Sequence, residues 1–272
     1  MDFEKSGQLK NYIREETKRY DMNSNYGYNY FFCRQFLMRL FEQKEKFSLR
    51  GSFGQLAVLK HYTRPLTDID IITFDKIENV NNCVDNVIKS DYSNVRFQIK
   101  QKFVTTNATI AYRIMCYLDN IEHLITLDLH RDKFCDTLLT EMPCLFSKDS
   151  DLEVSSVTLE EHIAAKLFTI ISNLYLNKLF GKSIRRLKDF YDISKIMQFQ
   201  IDWDKVFFLL NRKIKNDEFL NDYNLSHKLF DDNFINENMP IWQKESAKYQ
   251  FDSTISFSDS VEVVENLVAK RR

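Results

Sequence analysis

The chain has 272 residues, with 38 Lys+Arg against 39 Asp+Glu and 44% hydrophobic residues, a balance that suits a folded globular protein of one or two domains. The formal net charge of −1 excludes a protein that coats nucleic acid over its whole surface, because such binding grows by neutralising many phosphates. Five glycines and three prolines exclude collagenous and low-complexity architectures.

In chain order, residues 3–20 are helix-permissive, and 28–45 place Phe31, Phe32, Phe36, Leu37, Leu40 and Phe41 at helical spacing, so the chain should open with two helices. Short runs rich in branched and aromatic residues follow at Phe47–Leu49, Ile69–Phe74, Val95–Val104, Ile110–Leu118 and Leu124–Leu129. They read as strands of one mixed or antiparallel sheet. Gln55–His61 and Ile77–Lys89 read as helices between them. The polar stretch Ser147–Val157 is the best candidate for a boundary, giving a first domain over 1–150 and a second over 151–272. Beyond it the pattern is helical: Leu159–Phe180, opened by a Thr158/Glu161 capping box and closed by Gly181, then Ile184–Phe199, Trp203–Asn211, Phe219–Leu229 and Val261–Val268. The fold class expected is α+β, an N-terminal sheet domain followed by a C-terminal helix bundle.

No apolar run is long enough to span a membrane, and MDFEKSGQLK lacks the basic-then-apolar build of a signal peptide. Cys33, Cys83, Cys116, Cys135 and Cys144 form no CxxC pair, which argues for scattered thiols rather than disulfides or a cysteine-rich zinc site. A cytoplasmic location is expected.

Candidate chemistry begins at Arg50-Gly51-Ser52-Phe53-Gly54. A strand running into a Gly-Ser turn and then a helix presents backbone N–H groups to a phosphate, although the same residues suit an ordinary tight turn. Neither GxGxxG nor GxxxxGK is present, so a dinucleotide fold and a P-loop have no support. Next comes Thr67-Asp68-Ile69-Asp70-Ile71. On a strand Asp68 and Asp70 share one face, either as a solvated edge or as oxygen ligands for Mg2+. In Thr126-Leu127-Asp128-Leu129-His130, alternation puts Thr126, Asp128 and His130 on one face. Were this strand beside the Asp68/Asp70 strand, three carboxylates would converge, as two-metal phosphoryl transfer requires. His130 by itself reads as structural or solvent-facing. Lys166 lies in a segment that is apolar nearly all round, so its charge needs a buried anion or an escape to solvent. From His162 to Lys188 there are six cations and no acid, a local concentration of positive potential.

Taken in order, Phe36–Leu40, Phe47–Ser52, Arg64–Asp70, Glu160–Leu167 and Arg186–Asp192 resemble the nucleotidyltransferases of the AbiEii/AbiGii abortive-infection toxin family, within the polymerase-β-like superfamily. The tail Ile255–Val268 also looks like that family, so the resemblance covers nearly the whole chain. It implies transfer of a nucleoside monophosphate from an NTP to an acceptor hydroxyl, with Asp68, Asp70 and Asp128 holding two Mg2+ ions. Gly51 and Ser52 would cradle phosphates, Lys166 would face the leaving pyrophosphate, and Asp189 would be a further site residue. The helical domain would complete the active-site cleft. The implied acceptor is RNA, the 3′ end of tRNA, and the implied biology is a toxin opposed by an antitoxin gene product in phage defence. Arg185 and Arg186 are then expected to meet acceptor phosphates. Phe53 departs from the Gly-Gly-Thr more usual in the family and cannot donate a side-chain hydrogen bond to phosphate. The alternatives carried are an NTP-binding module without transfer activity and a small-molecule, antibiotic-modifying nucleotidyltransferase.

Overall fold

The computed structural model describes residues 3–43, 47–74, 77–90, 94–104, 109–132, 134–147, 150–180, 186–218, 220 and 230–270. The chain divides into two compact units, Met1–Thr158 and Leu159–Arg272. The first contains α1 (Ser6–Arg19), α2 (Ser24–Phe41), β1 (Phe47–Arg50), α3 (Gly51–Leu59), β2 (Ile69–Thr73), α4 (Ile77–Lys89), β3 (Arg96–Val104), β4 (Ile110–Leu118), β5 (Ile121–Arg131), β6 (Thr137–Met142) and β7 (Leu152–Val157). Its seven strands form one mixed sheet in the order β3-β4-β5-β2-β1-β7-β6. β2 pairs with β5, and β1 with β7, in parallel; the other neighbours are antiparallel.

The hydrophobic pattern explains most of this. In α2, Tyr30, Phe31, Phe32, Phe36, Leu37 and Leu40 are buried, so this helix is staked into the core of the unit rather than laid on it by a single stripe. Asn23 caps its start, accepting from the Asn25 amide at 2.9 Å. Gly27 is where α1 crosses it: a Cβ there would stand 2.3 Å from Thr17 Cγ2 and 2.9 Å from Ile13 Cγ2. Along β4 the inward residues Ile110, Tyr112, Ile114, Cys116 and Leu118 are buried at every second position, the period of a strand. Phe53 is fully buried and stacks on Tyr30 at 6.3 Å, so the residue that departs from the family's usual triplet is a core residue.

Three differences from the sequence reading stand out. Helix α3 starts at Gly51, four residues before the expected Gln55, so the Gly-Ser turn is itself the first turn of the helix. Strands β6 and β7 were not expected, and β7 lies inside the polar stretch taken as a boundary. Leu152–Val157 carries only three aliphatic residues, and it is a strand because it completes the sheet between β1 and β6.

Among the described residues the second unit is helical: α5 (Leu159–Phe180), α6 (Lys188–Ile196), α7 (Trp203–Lys215), α8 (Asp232–Tyr249) and α9 (Phe257–Lys270). Helix α8 was not foreseen, and its interior Pro240 is the residue type that argues against a helix. The helix expected over Phe219–Leu229, apart from residue 220, and the expected stop at Gly181 lie outside the described residues. An aromatic cluster of Phe190, Phe230, Phe234, Trp242 and Phe257 joins α6, α8 and α9, and Tyr191 stacks on Phe251 at 4.0 Å. No described helix is long and apolar enough to cross a membrane.

Candidate active site

The parallel register of β2 and β5 sets Asp70 directly beside Asp128. Register partners on neighbouring strands project to the same side of a sheet, so the two carboxylates face the same way. Two residues beyond Asp128 on that side is His130, whose Nε2 stands 3.7 Å from Asp70 Oδ1. One ligand atom from each of Asp70, Asp128 and His130 lies within 4.8 Å of the others, a donor set that fits a divalent cation.

On the other flank of β2, Arg50 is the register partner of Asp70, and the chain turns from there straight into α3. Gly51 makes that turn with φ +61°, and a Cβ on it would lie 2.0 Å from Asp70 Oδ2. Both the left-handed backbone and the missing side chain are therefore required, because any Cβ would occupy the space of the carboxylate. Ser52 follows in the first turn of α3. It is buried, and its hydroxyl finds no hydrogen-bond partner among the described residues. A helix N-terminus with an unsatisfied buried hydroxyl beside two carboxylates has the parts needed to hold a metal-bound phosphate.

The segment leading into β2 is tied down by α2. Asn29 Nδ2 donates to the Leu66 carbonyl at 2.6 Å, and Asn29 Oδ1 faces His123 Nε2 on β5 at 3.2 Å. His123 also stacks on Phe32, and burial holds its pKa below the ordinary value.

Of the three carboxylates expected to converge, Asp70 and Asp128 stand together, and an imidazole joins them. Asp68 is not part of the group. β2 begins at Ile69, and just before it Thr67 Oγ1 donates to Asp68 Oδ1 at 2.7 Å. His130 was read from sequence as structural or solvent-facing; its signal was the same i, i+2 alternation that placed Asp128.

Within the second unit, Lys166 is buried on α5 and donates to Asp189 Oδ1 at 3.0 Å and Asp192 Oδ2 at 2.6 Å, both buried on α6. Its counter-ions thus come from its own unit, which satisfies the charge without a triphosphate. Arg186 is half exposed, with Nε 3.2 Å from Asp189 Oδ2. Burial would raise the Asp189 carboxyl, but Lys166 and then Arg186 outweigh it and hold the group below the usual carboxylate range. One turn before Lys166, the buried Glu161 takes Lys213 and Arg212 from α7. Arg185 lies outside the described residues.

The family described as "Nucleotidyl transferase AbiEii toxin, Type IV TA system" matches residues 36–263. No curated protein matches the chain in sequence. Among solved structures, the chain is similar to JHP933 from Helicobacter pylori at 12% identity, with 92% of each chain covered and a TM-score of 0.55, a likeness of fold. A second H. pylori structure, of a protein assigned as a nucleotidyltransferase, aligns at 13% identity over 88% of this chain and 91% of that one, with a TM-score of 0.36. With the family match spanning both units, the chain belongs to the AbiEii nucleotidyl transferase toxin family of type IV toxin–antitoxin systems and is a nucleotidyltransferase.

Proposed function

We propose that this nucleotidyltransferase is Mg2+-dependent and moves the nucleoside monophosphate of an NTP to an acceptor hydroxyl of RNA, the 3′ end of tRNA, releasing pyrophosphate. Its biological setting in this reading is abortive phage infection, as a toxin opposed by a cognate antitoxin. The observation that carries the chemistry is the in-register pair Asp70 and Asp128, against which the side-chain-free Gly51 brings the start of α3.

Asp70 and Asp128 would hold the divalent metal, which lowers the pKa of the attacking hydroxyl and offsets charge on the phosphates when bound. The amides of the first α3 turn and the Ser52 hydroxyl orient the phosphates, because a helix N-terminus offers donors that the helix itself leaves unpaired. Asp68, whose Oδ1 accepts from Thr67, would join a second metal through its other carboxylate oxygen. Lys166 is assigned to holding Asp189 and Asp192 in place, and Arg185 and Arg186 to contacts with acceptor phosphates.

The test is incubation with each labelled NTP, Mg2+ and total RNA. Label should pass into RNA with one NTP preferred and be lost in Asp70→Ala and in Asp128→Ala. Unlabelled RNA with all four nucleotides, or wild-type labelling by Asp70→Ala, would sink the reading. An Arg185→Ala/Arg186→Ala variant should bind RNA with a slope of log affinity against log salt reduced by about 0.7 per lost phosphate contact.

A further inference from the structure

We propose that His130 supplies a nitrogen ligand to the divalent metal held by Asp70 and Asp128. The inference rests on the metal-dependent reading of this site and adds to it a donor that is neither a carboxylate nor part of the Asp68/Asp70 motif.

The first argument is distance. His130 Nε2 lies 3.7 Å from Asp70 Oδ1, within ion-pair range but beyond hydrogen-bond length, so the imidazole faces the carboxylate with room between them. A histidine placed only to pair with an aspartate would close to roughly 2.7–3.0 Å. Two donors each about 2.1 Å from one ion stand roughly 3.0 Å apart when adjacent and about 4.2 Å apart when opposite, and the observed separation falls between these limits.

Orientation gives the second argument. The other ring nitrogen, Nδ1, is 3.1 Å from Thr109 Oγ1, at the residue just before β4. In the tautomer in which Nδ1–H donates to that hydroxyl oxygen, which a cation at Nε2 would select, Nε2 turns its lone pair to the carboxylates. A ligating histidine is ordinarily fixed in this way, by a second residue that holds its far nitrogen and so sets the tautomer.

The third argument is the donor count. Asp68 stands outside the group, which leaves Asp70 and Asp128 as its carboxylates. An imidazole in the set raises affinity along the first-row transition series relative to a site built of oxygen alone. The wild-type protein should therefore favour Mn2+ over Mg2+ more strongly than a variant that lacks the ring.

Mn2+ added to the full chain without nucleotide is the probe, read by electron spin-echo modulation, which reports nitrogen directly bonded to manganese, and by titration of free Mn2+. The wild type should show one imidazole-type nitrogen coupling. His130→Ala should lose it and bind Mn2+ more weakly by about tenfold or more, while Thr109→Val should keep the coupling and weaken binding by about tenfold. Because the nitrogen signal is read on the wild type, the proposal does not depend on any variant folding. Mn2+ bound through Asp70 and Asp128 with no nitrogen coupling overturns the role of His130 and leaves the carboxylate site standing. Mn2+ binding that is absent, or unaffected by Asp70→Ala, overturns both.

Discussion

Gly51→Ala isolates the contact on which the site is built. Two costs follow from the structure. Alanine at φ +61° costs about 1–2 kcal/mol relative to a right-handed residue, partly offset by about 0.4–1 kcal/mol from the stiffer unfolded chain. Stability should therefore fall by only about 1 kcal/mol, a small drop in melting temperature. The second cost is local. The new Cβ would lie 2.0 Å from Asp70 Oδ2 and 2.9 Å from Asp70 Cγ, so the carboxylate oxygen must move by about 1.4 Å or more to reach ordinary van der Waals separation. Asp70 would share the proposed ion with its register partner Asp128 on β5, and a shift of that size at a reacting centre costs on the order of 100-fold in rate. Single-turnover nucleotide transfer at saturating NTP, measured beside calorimetric unfolding, separates the two effects. A folded Gly51→Ala protein with more than about a third of wild-type rate would refute the claim that Gly51 is there to make room for Asp70.

Gly27→Ala is the matched control, since its Cβ meets Thr17 and Ile13 side chains and no carboxylate; it should destabilise by about 1–3 kcal/mol from overpacking while leaving transfer by the folded fraction unchanged. Lys166→Ala removes the cation shared by two buried carboxylates and should cost about 3–5 kcal/mol, read by tryptophan fluorescence because Trp203 and Trp242, the only two in the chain, both belong to the second unit; adding Asp189→Asn and Asp192→Asn should restore much of the loss, and no restoration would mean that charge is not the cause. For His123 the folded pKa is depressed by burial, so its contribution to stability is fully present above the unfolded value of about 6.5 and is lost as pH falls through the folded pKa. An imidazole proton resonance assigned to His123 that titrates at or above 6.5 would contradict its placement between Phe32 and Asn29.

Legibility in the sequence followed the physics each segment depends on. The strands β3, β4 and β5 and the helices α2, α4 and α5 were readable because the residue types and spacings that form them are local, as in the alternation from Ile110 to Leu118. Strands β6 and β7 and helix α8 were not, because what makes them regular lies elsewhere in the chain: β7 exists through its pairing with β1 and β6, and Leu138 and Leu139 of β6 are left exposed. The same distinction runs through the site. Asp128 and His130 were placed on one face correctly because both sit well inside β5, whereas Asp68 precedes the first paired residue of β2. Strand limits are set by partners, and here the partner of Ile69 is Leu127. The pairing that brings Asp70 to Asp128 therefore begins one residue after Asp68, and His130, two residues along the paired stretch, stands where the third donor is needed.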